Sequence, residues 1–92
     1  IEAIRWMTYH LAWSVDRPDV APAATALDSS IAKYYATDRA YAVADRCLQV
    51  FGGMGLLREG PIERVLRHLR VLRVVEGASE VQKVLVARSL GL

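Results

Sequence analysis

The segment that most limits the possible folds runs from Pro22 to Phe51, because it contains no glycine, no internal proline and many alanines. Its apolar residues cover nearly the whole helix circumference, a pattern typical of a central helix packed on several sides. At about 1.5 Å per residue this helix is roughly 45 Å long. A compact globule of this chain length is only about 30–35 Å across. We therefore expect the chain to be a fragment or an isolated domain.

Breaker residues predict one helix before this segment. Apolar spacing favours a helix from Ile1 to about Val15, and turn residues at positions 16–19 end it. Pro22 suits the first turn of the long helix, where its missing N–H costs nothing. Three closely spaced glycines then stop the long helix: Gly52, Gly53 and Gly55.

Two shorter helices are predicted after the glycines. Pro61 opens a helix from Ile62 to about Arg70, and the bulky or β-branched residues 71–75 indicate an extended link. Ser79, with Gln82 three residues on, matches a capping box at the start of the last helix. The predicted fold class is all-α, an antiparallel helical bundle that is only partial within these 92 residues.

The composition limits the partners and the compartment. With 53% apolar residues the chain has more apolar surface than its own core needs, which indicates another domain or another copy as partner. The single cysteine, Cys47, excludes an internal disulfide and a multi-cysteine metal site, and we expect it to be buried. We expect no metal and no membrane partner. A cytoplasmic location is expected, with an organelle such as the mitochondrion left open because a targeting segment could lie upstream.

Four arginines recur every three residues in the second half of the chain, with His68 among them: Arg64, Arg67, Arg70 and Arg73. Such a stripe could meet phosphates. We favour a solvated helix face paired with Glu59 and Glu63, because residues 61–75 hold no aromatic side chain for stacking on bases. No nucleic-acid partner is therefore expected. One further set is expected to form structural ion pairs around a tight turn: Arg58, Glu59, Glu63 and Arg64.

Three motifs and a residue pair occur in order after the long helix. They are QVFGGMG at 49–55, REGPIER at 58–64, VEGASEVQ at 75–82 and the Ala87–Arg88 pair. Together they closely resemble the C-terminal signature of acyl-CoA dehydrogenases, in which the third motif usually reads YEGTSEIQ. The resemblance covers nearly the whole chain. It implies that residues 1–92 are the C-terminal helical domain, with the N-terminal helical and β domains outside the chain.

The resemblance implies α,β-dehydrogenation of an acyl-CoA thioester with FAD as cofactor. Glu76 matches the family's catalytic base, which removes the α-proton while hydride passes to flavin N5. Such a base must be aligned with the weakly acidic C–H, and the enolate oxygen must be stabilised. Without the motif, Glu76 would read as an acid near a helix N-terminus. Some family members place the base on a different helix.

The resemblance also assigns binding residues. Gly77 and Val75 match positions beside the substrate. Positions that contact the flavin nucleotide are matched by Ala78, Ser79 and Glu80, although helix capping is the favoured role of the Ser79 hydroxyl. A second segment matches the contact to the adenosine end of the FAD held by the neighbouring subunit: Gln49, Val50, Phe51, Gly52 and Gly53.

Three residues depart from the family pattern. Val75 replaces an aromatic residue, Ala78 replaces threonine, and His68 stands where aspartate is frequent. These departures leave the acyl group open, including branched and steroid side-chain substrates. Implied partners are the acyl-CoA, a homo-oligomer (dimer or tetramer), and electron-transfer flavoprotein or another electron acceptor. The alternative is a helical oligomerisation module without activity of its own.

Overall fold

The computed structural model describes all residues from 1 to 92 and contains helices but no strand. The elements are α1 (Glu2–Val15), α2 (Pro22–Phe51), a short 3₁₀ helix (Gly52–Leu56), α3 (Pro61–Leu72) and α4 (Ser79–Ser89). Each of the other elements packs against α2, whereas α1 contacts neither α3 nor α4. The predicted all-α partial bundle is confirmed, and α2 is its spine.

The ends of α2 lie where proline and glycine predict them. Pro22 is the first helical residue after the extended Ala21, and Gly52 closes the helix with a φ of 59° and an N–H that donates to the Gln49 carbonyl. A positive φ is a conformation that glycine adopts without steric cost. The uninterrupted helix makes the chain elongated, 50 × 25 × 17 Å, well beyond the width expected of a compact globule.

The extended link predicted for residues 71–75 is wrong. Val71 and Leu72 complete the last turn of α3, and the N–H groups of Val74 and Val75 both donate to the Val71 carbonyl. Tight turns therefore replace the extended segment. The side chain of Arg73 is held by α2 immediately after this helix end, so a tertiary contact bends the chain where local propensity favours extension.

The capping box predicted at the start of α4 is also wrong. Ala78 is the N-cap residue, and no side chain caps the helix. Ser79 is already helical, and its hydroxyl donates to Asp38 of α2 at 3.1 Å. Gln82 instead reaches back beyond the helix, where its Nε2 donates to the Glu76 carbonyl at 3.1 Å. A partner on another helix takes the hydroxyl that local sequence assigns to the cap.

The predicted surplus of apolar surface is confirmed. Ala44 is the only buried hydrophobic residue, and exposed large side chains occur on every helix. Cys47 is exposed, so its predicted burial is wrong; it lies on α2, which the short neighbouring helices cover only in part. No helix combines the length and the apolar composition that a membrane crossing requires.

The charged residues around α3 confirm the predicted pairing of the arginine stripe with Glu63, but not the predicted ion pairs around the turn. Within the set Arg58, Glu59, Glu63 and Arg64 no ion pair forms; Glu63 pairs with Arg67, one helical turn further on. Residues four apart on a helix are surface neighbours, which explains the choice. Arg73 leaves the arginine stripe altogether and pairs with Asp38 on α2.

Candidate functional site

The α3–α4 turn, residues 73–78, holds the unusual backbone of the molecule. Glu76 has a φ of 56° and is the only non-glycine residue with a positive φ, and the following Gly77 has a φ of 85°. A non-glycine residue in this region costs of order 1–3 kcal/mol and persists where the surroundings hold it. Two consecutive left-handed residues therefore require anchors outside the turn.

The backbone carbonyls of Glu76 and Gly77 each accept a hydrogen bond from a side chain outside the turn. Lys33 of α2 donates from Nζ to the Gly77 carbonyl at 2.6 Å, and Gln82 of α4 donates to the Glu76 carbonyl. A Cβ added at Gly77 would lie 2.5 Å from the Gln82 Nε2 atom. Glycine at this position thus serves the backbone conformation and also leaves room for the side chain that holds Glu76.

The two ends of the turn meet at one carboxylate. Asp38 of α2 accepts from Arg73 Nε at 2.7 Å and from the Ser79 hydroxyl, and the Ser79 N–H donates to the Arg73 carbonyl at 3.1 Å. Ser79 is only 1% exposed. The Arg73 guanidinium also lies over the Tyr41 ring, 5.4 Å from its centroid. This junction ties α3, α2 and α4 together beside the turn.

The surroundings of Asp38 lower the pKa of its carboxyl. Partial burial pushes the pKa upward, but the hydrogen bonds from Arg73 and Ser79 and the positive charges of Arg73 and Lys83 outweigh it. Asp38 therefore stays ionised, and its negative charge is paired with Arg73 of the same chain. Glu76 differs from Asp38 in its contacts: it is exposed, and its backbone carbonyl accepts the hydrogen bond from Gln82.

The N-terminus of α4 leaves donors free next to Glu76. The Ser79 N–H donates to Arg73 and the Gln82 N–H to Ala78, so the N–H groups of Glu80 and Val81 are the remaining donors of the first turn. Such a helix end suits a phosphate group. Val75 and Glu80 are exposed on either side, and Ala78 is half-buried between them.

The glycine segment, residues 49–56, lies apart from the turn. Lys33 and Gln49 are sixteen positions apart on α2, roughly 24 Å along the helix axis at 1.5 Å per residue. Gln49, Val50, Phe51, Gly52 and Gly53 are all exposed. No atom lies within 4 Å of a Cβ added at Gly52 or Gly53, so the backbone there is open to a ligand or a partner.

The family profile described as "Acyl-CoA dehydrogenase, C-terminal domain" matches residues 1–91 of this chain. The chain belongs to the acyl-CoA dehydrogenase family. The match runs through all four helices, so the glycine segment and the α3–α4 turn are parts of one acyl-CoA dehydrogenase C-terminal domain.

Among similar proteins is (R)-benzylsuccinyl-CoA dehydrogenase of Thauera aromatica, 40% identical over 92 residues that cover 98% of this chain and 21% of that protein. The very long-chain specific acyl-CoA dehydrogenase of Mus musculus is 41% identical over 61 residues, 66% of this chain and 9% of its own length. Isobutyryl-CoA dehydrogenase of Dictyostelium discoideum is 44% identical over 61 residues, 66% of this chain and 15% of its own length. The chain thus spans between 9% and 21% of the length of these relatives.

Within this acyl-CoA dehydrogenase domain the predicted residues form two groups. The structure brings together Val75, Glu76, Gly77, Ala78, Ser79 and Glu80 at the turn and the start of α4. It keeps residues 49–53 at the far end of α2. Sequence reasoning missed Lys33 and Asp38, which anchor the turn. Nothing in the sequence distinguishes them from the other charged residues of α2, which are Asp28, Arg39, Asp45 and Arg46.

Proposed function

We propose that this domain supplies the general base of an FAD-dependent acyl-CoA dehydrogenase, with Glu76 removing the α-proton of an acyl-CoA thioester. The observation that carries the proposal is the turn itself. Glu76 is held at a φ of 56° with its carboxylate exposed, while the carbonyls of Glu76 and Gly77 are pinned by Gln82 and Lys33. A strained residue that the structure holds in place is typical of a functional position.

The proposed step transfers one proton and one hydride. The α-carbon loses its proton to the Glu76 carboxylate, the β-carbon loses hydride, and the electron pair of the α C–H bond becomes the new double bond. The thioester is oxidised to its 2-enoyl form. FAD, when bound, would supply the acceptor for the hydride and its two electrons. Alignment of the base with the C–H bond is what the turn contributes, because proton abstraction needs hydrogen-bonding reach.

The residues present fit a flavin nucleotide at two places. The free N–H groups of Glu80 and Val81 suit a phosphate at the start of α4. The open backbone at Gly52 and Gly53 suits the close approach of an adenosine group. The separation of the two places along α2 supports the assignment of residues 49–53 to a cofactor held by a second copy of the protein.

The substrate class follows from the site and from the relatives. Val75 and Gly77 flank Glu76; Val75 is exposed, while the space beside the Gly77 Cα is taken by the Gln82 side chain. The names of the relatives above share a CoA thioester and differ in its acyl group, so we propose acyl-CoA as the class. We also propose electron-transfer flavoprotein, or another electron acceptor, as a partner of the enzyme.

The test is Glu76→Gln in the full-length protein that contains this domain. Glutamine keeps the shape and reach of glutamate but cannot accept the α-proton. We expect bleaching of the bound flavin by acyl-CoA to slow by about 10²–10⁴-fold or more, with flavin content and thermal unfolding nearly unchanged. Glu59→Gln, at another exposed glutamate near a helix start, is the control and should bleach normally.

Two outcomes contradict the proposal. Full bleaching at a near-normal rate in the Glu76→Gln variant would move the base to another residue. If Glu76 only complements the dipole of α4, the variant would lose about 0.3–1 kcal/mol of stability and keep ordinary turnover.

A second candidate function is association. Large apolar side chains are exposed on every helix, including Trp6 and Trp13 on α1 and Val50 at the end of α2, which is 88% exposed. Apolar surface of this extent marks a contact with another domain or another copy. Association is compatible with catalysis, because every side chain that anchors the α3–α4 turn belongs to the same chain as the turn.

A further inference from the structure

Lys33 has one polar partner in the chain, and that partner lies in the α3–α4 turn. Its Nζ donates to the Gly77 carbonyl at 2.6 Å across 44 positions of sequence, in a half-buried setting. None of the ion pairs of the structure includes Lys33. A hydrogen bond with a charged donor is shorter and stronger than a neutral one, and the bond from the Lys33 ammonium to the Gly77 carbonyl is of this kind.

The contact falls at the apex of the turn, where the backbone is strained. Gly77 follows Glu76 directly, and both have positive φ values. Fixing the Gly77 carbonyl fixes the peptide plane between residues 77 and 78 and limits how far Glu76 can relax toward ordinary φ values. The direction in which the Glu76 side chain leaves the backbone depends on that φ value.

The ends of the turn have a different anchor. Arg73 and Ser79 are both bound to Asp38, five residues after Lys33 on α2. Removing the Lys33 ammonium would therefore loosen the apex while the Asp38 junction still holds α3 and α4 to α2. Because the two anchors differ, a change at Lys33 can alter catalysis without unfolding the junction at Asp38.

We infer that Lys33 is a positioning residue for Glu76, setting the orientation of the carboxylate through the Gly77 carbonyl. The inference rests on the proposed function of Glu76 as the base. Misplacement of a reacting group by about 1 Å can cost 10²-fold in rate. We therefore expect loss of the ammonium to lower kcat by about 10–100-fold, with little change in the KM for acyl-CoA.

The test compares three variants of the full-length flavoprotein. Lys33→Met removes the donor and keeps an unbranched side chain, whereas Lys33→Arg keeps a charged donor and should restore most of kcat. Arg39→Met is the matched control, because Arg39 is another cation of α2 and lies over the Tyr35 ring without bonding to the turn. It should leave kcat within about twofold of the wild type.

Hydrogen exchange gives a readout that does not depend on turnover. The Val75 N–H, directly before Glu76, donates to the Val71 carbonyl, so it reports how well the turn keeps its shape next to the base. In Lys33→Met we expect this amide to exchange roughly tenfold faster, while amides in the middle of α2 are unchanged.

The outcomes separate this inference from the proposed function. Wild-type kcat and exchange in Lys33→Met, together with an inactive Glu76→Gln, would overturn the role of Lys33 alone. Loss of folding in both Lys33→Met and Lys33→Arg would make Lys33 a stability residue and would also overturn it. Turnover retained by Glu76→Gln would overturn the proposed function and the positioning role with it.

Discussion

The α3–α4 turn and the glycine segment both follow a helix, and both carry glycines, yet they are held in opposite ways. Four side-chain hydrogen bonds secure the turn and its ends, two at Asp38 and one each from Lys33 and Gln82. The glycine segment is secured by its own backbone and by one close contact, in which Gly55 packs against Leu48. Its outward side chains are exposed.

The difference teaches which part of the proposed site this domain builds by itself. Partly buried charged groups need partners, and here the partners are on α2 and α4 of the same chain. The apolar side chains of the glycine segment have no such requirement, and Val50 and Met54 remain exposed. The turn is organised within one chain, while the glycine segment leaves its apolar side chains exposed.

The most damaging change to the turn should be Asp38→Ala. It leaves the Arg73 guanidinium and the Ser79 hydroxyl without their acceptor at a site where the Asp38 and Arg73 side chains are 18% and 28% exposed. We expect the free energy of unfolding to fall by about 3 kcal/mol at pH 7, as measured by urea denaturation of the full-length protein. Asp19→Ala, which removes an exposed pair with Arg17, should have no measurable effect. An equal loss in both variants would contradict the distinction.

The stability that Asp38 contributes should depend on pH. The pKa of Asp38 is lowered from its ordinary value of 3.8 in the folded protein, so its stabilising contribution is complete above that value. It is lost as the pH falls from 3.8 through the folded pKa, because in this range the unfolded carboxyl binds a proton while the folded one stays ionised, so protons favour the unfolded state. The stability difference between wild type and Asp38→Ala should therefore shrink below about pH 4. A constant difference down to pH 2 would show that the charge of Asp38 is not what stabilises the junction.

In the glycine segment the sensitive position should be Gly55. A Cβ there would lie 2.8 Å from the Leu48 carbonyl oxygen and 3.0 Å from the Phe51 Cβ. Gly55→Ala should cost about 2 kcal/mol, because the backbone or Phe51 has to move. Gly53→Ala meets open space and should change stability by less than about 0.5 kcal/mol. Thermal unfolding of both variants tests the pair, and equal melting temperatures would show that the close packing at Gly55 is unimportant.

Ser79→Ala should cost less than Asp38→Ala or Gly55→Ala, about 1 kcal/mol, since Asp38 keeps Arg73 as a partner. A double-mutant cycle with Asp38→Ala decides what the hydroxyl does. If Ser79 acts through Asp38, the serine change should cost almost nothing in the absence of Asp38. If Ser79 instead capped α4, it would cost the same in both backgrounds.

Helix limits were largely predictable from residues that act on their own backbone. Proline sets φ at the start of α2 and α3, and a glycine with positive φ ends α2. The prediction ended α3 too early, and at the start of α4 it placed the helix correctly at Ser79 but assigned the wrong role to its hydroxyl. In both places a polar side chain, Arg73 or Ser79, has a partner on α2 that is 35 or 41 positions away.

Some residues of the candidate site could likewise be predicted from the sequence, and others could not. The VEGASEVQ motif singled out Glu76 and its neighbours, and the family it indicated is confirmed by the profile match over residues 1–91. The role of Glu76 as the base stays a prediction. Lys33 and Asp38 were not found, because nothing in their own sequence surroundings shows which turn they face.

By itself the sequence determined the helical class, the length of α2, the breaks at proline and glycine, and the family. Each of these depends on backbone preferences or on motifs that are local in the chain. Only the tertiary structure decided that Ser79 binds Asp38 rather than capping α4, that Cys47 is exposed, and that Lys33 holds the Gly77 carbonyl. The physical reason is that a polar side chain bonds to the best acceptor within reach, and what lies within reach is set by how the helices pack.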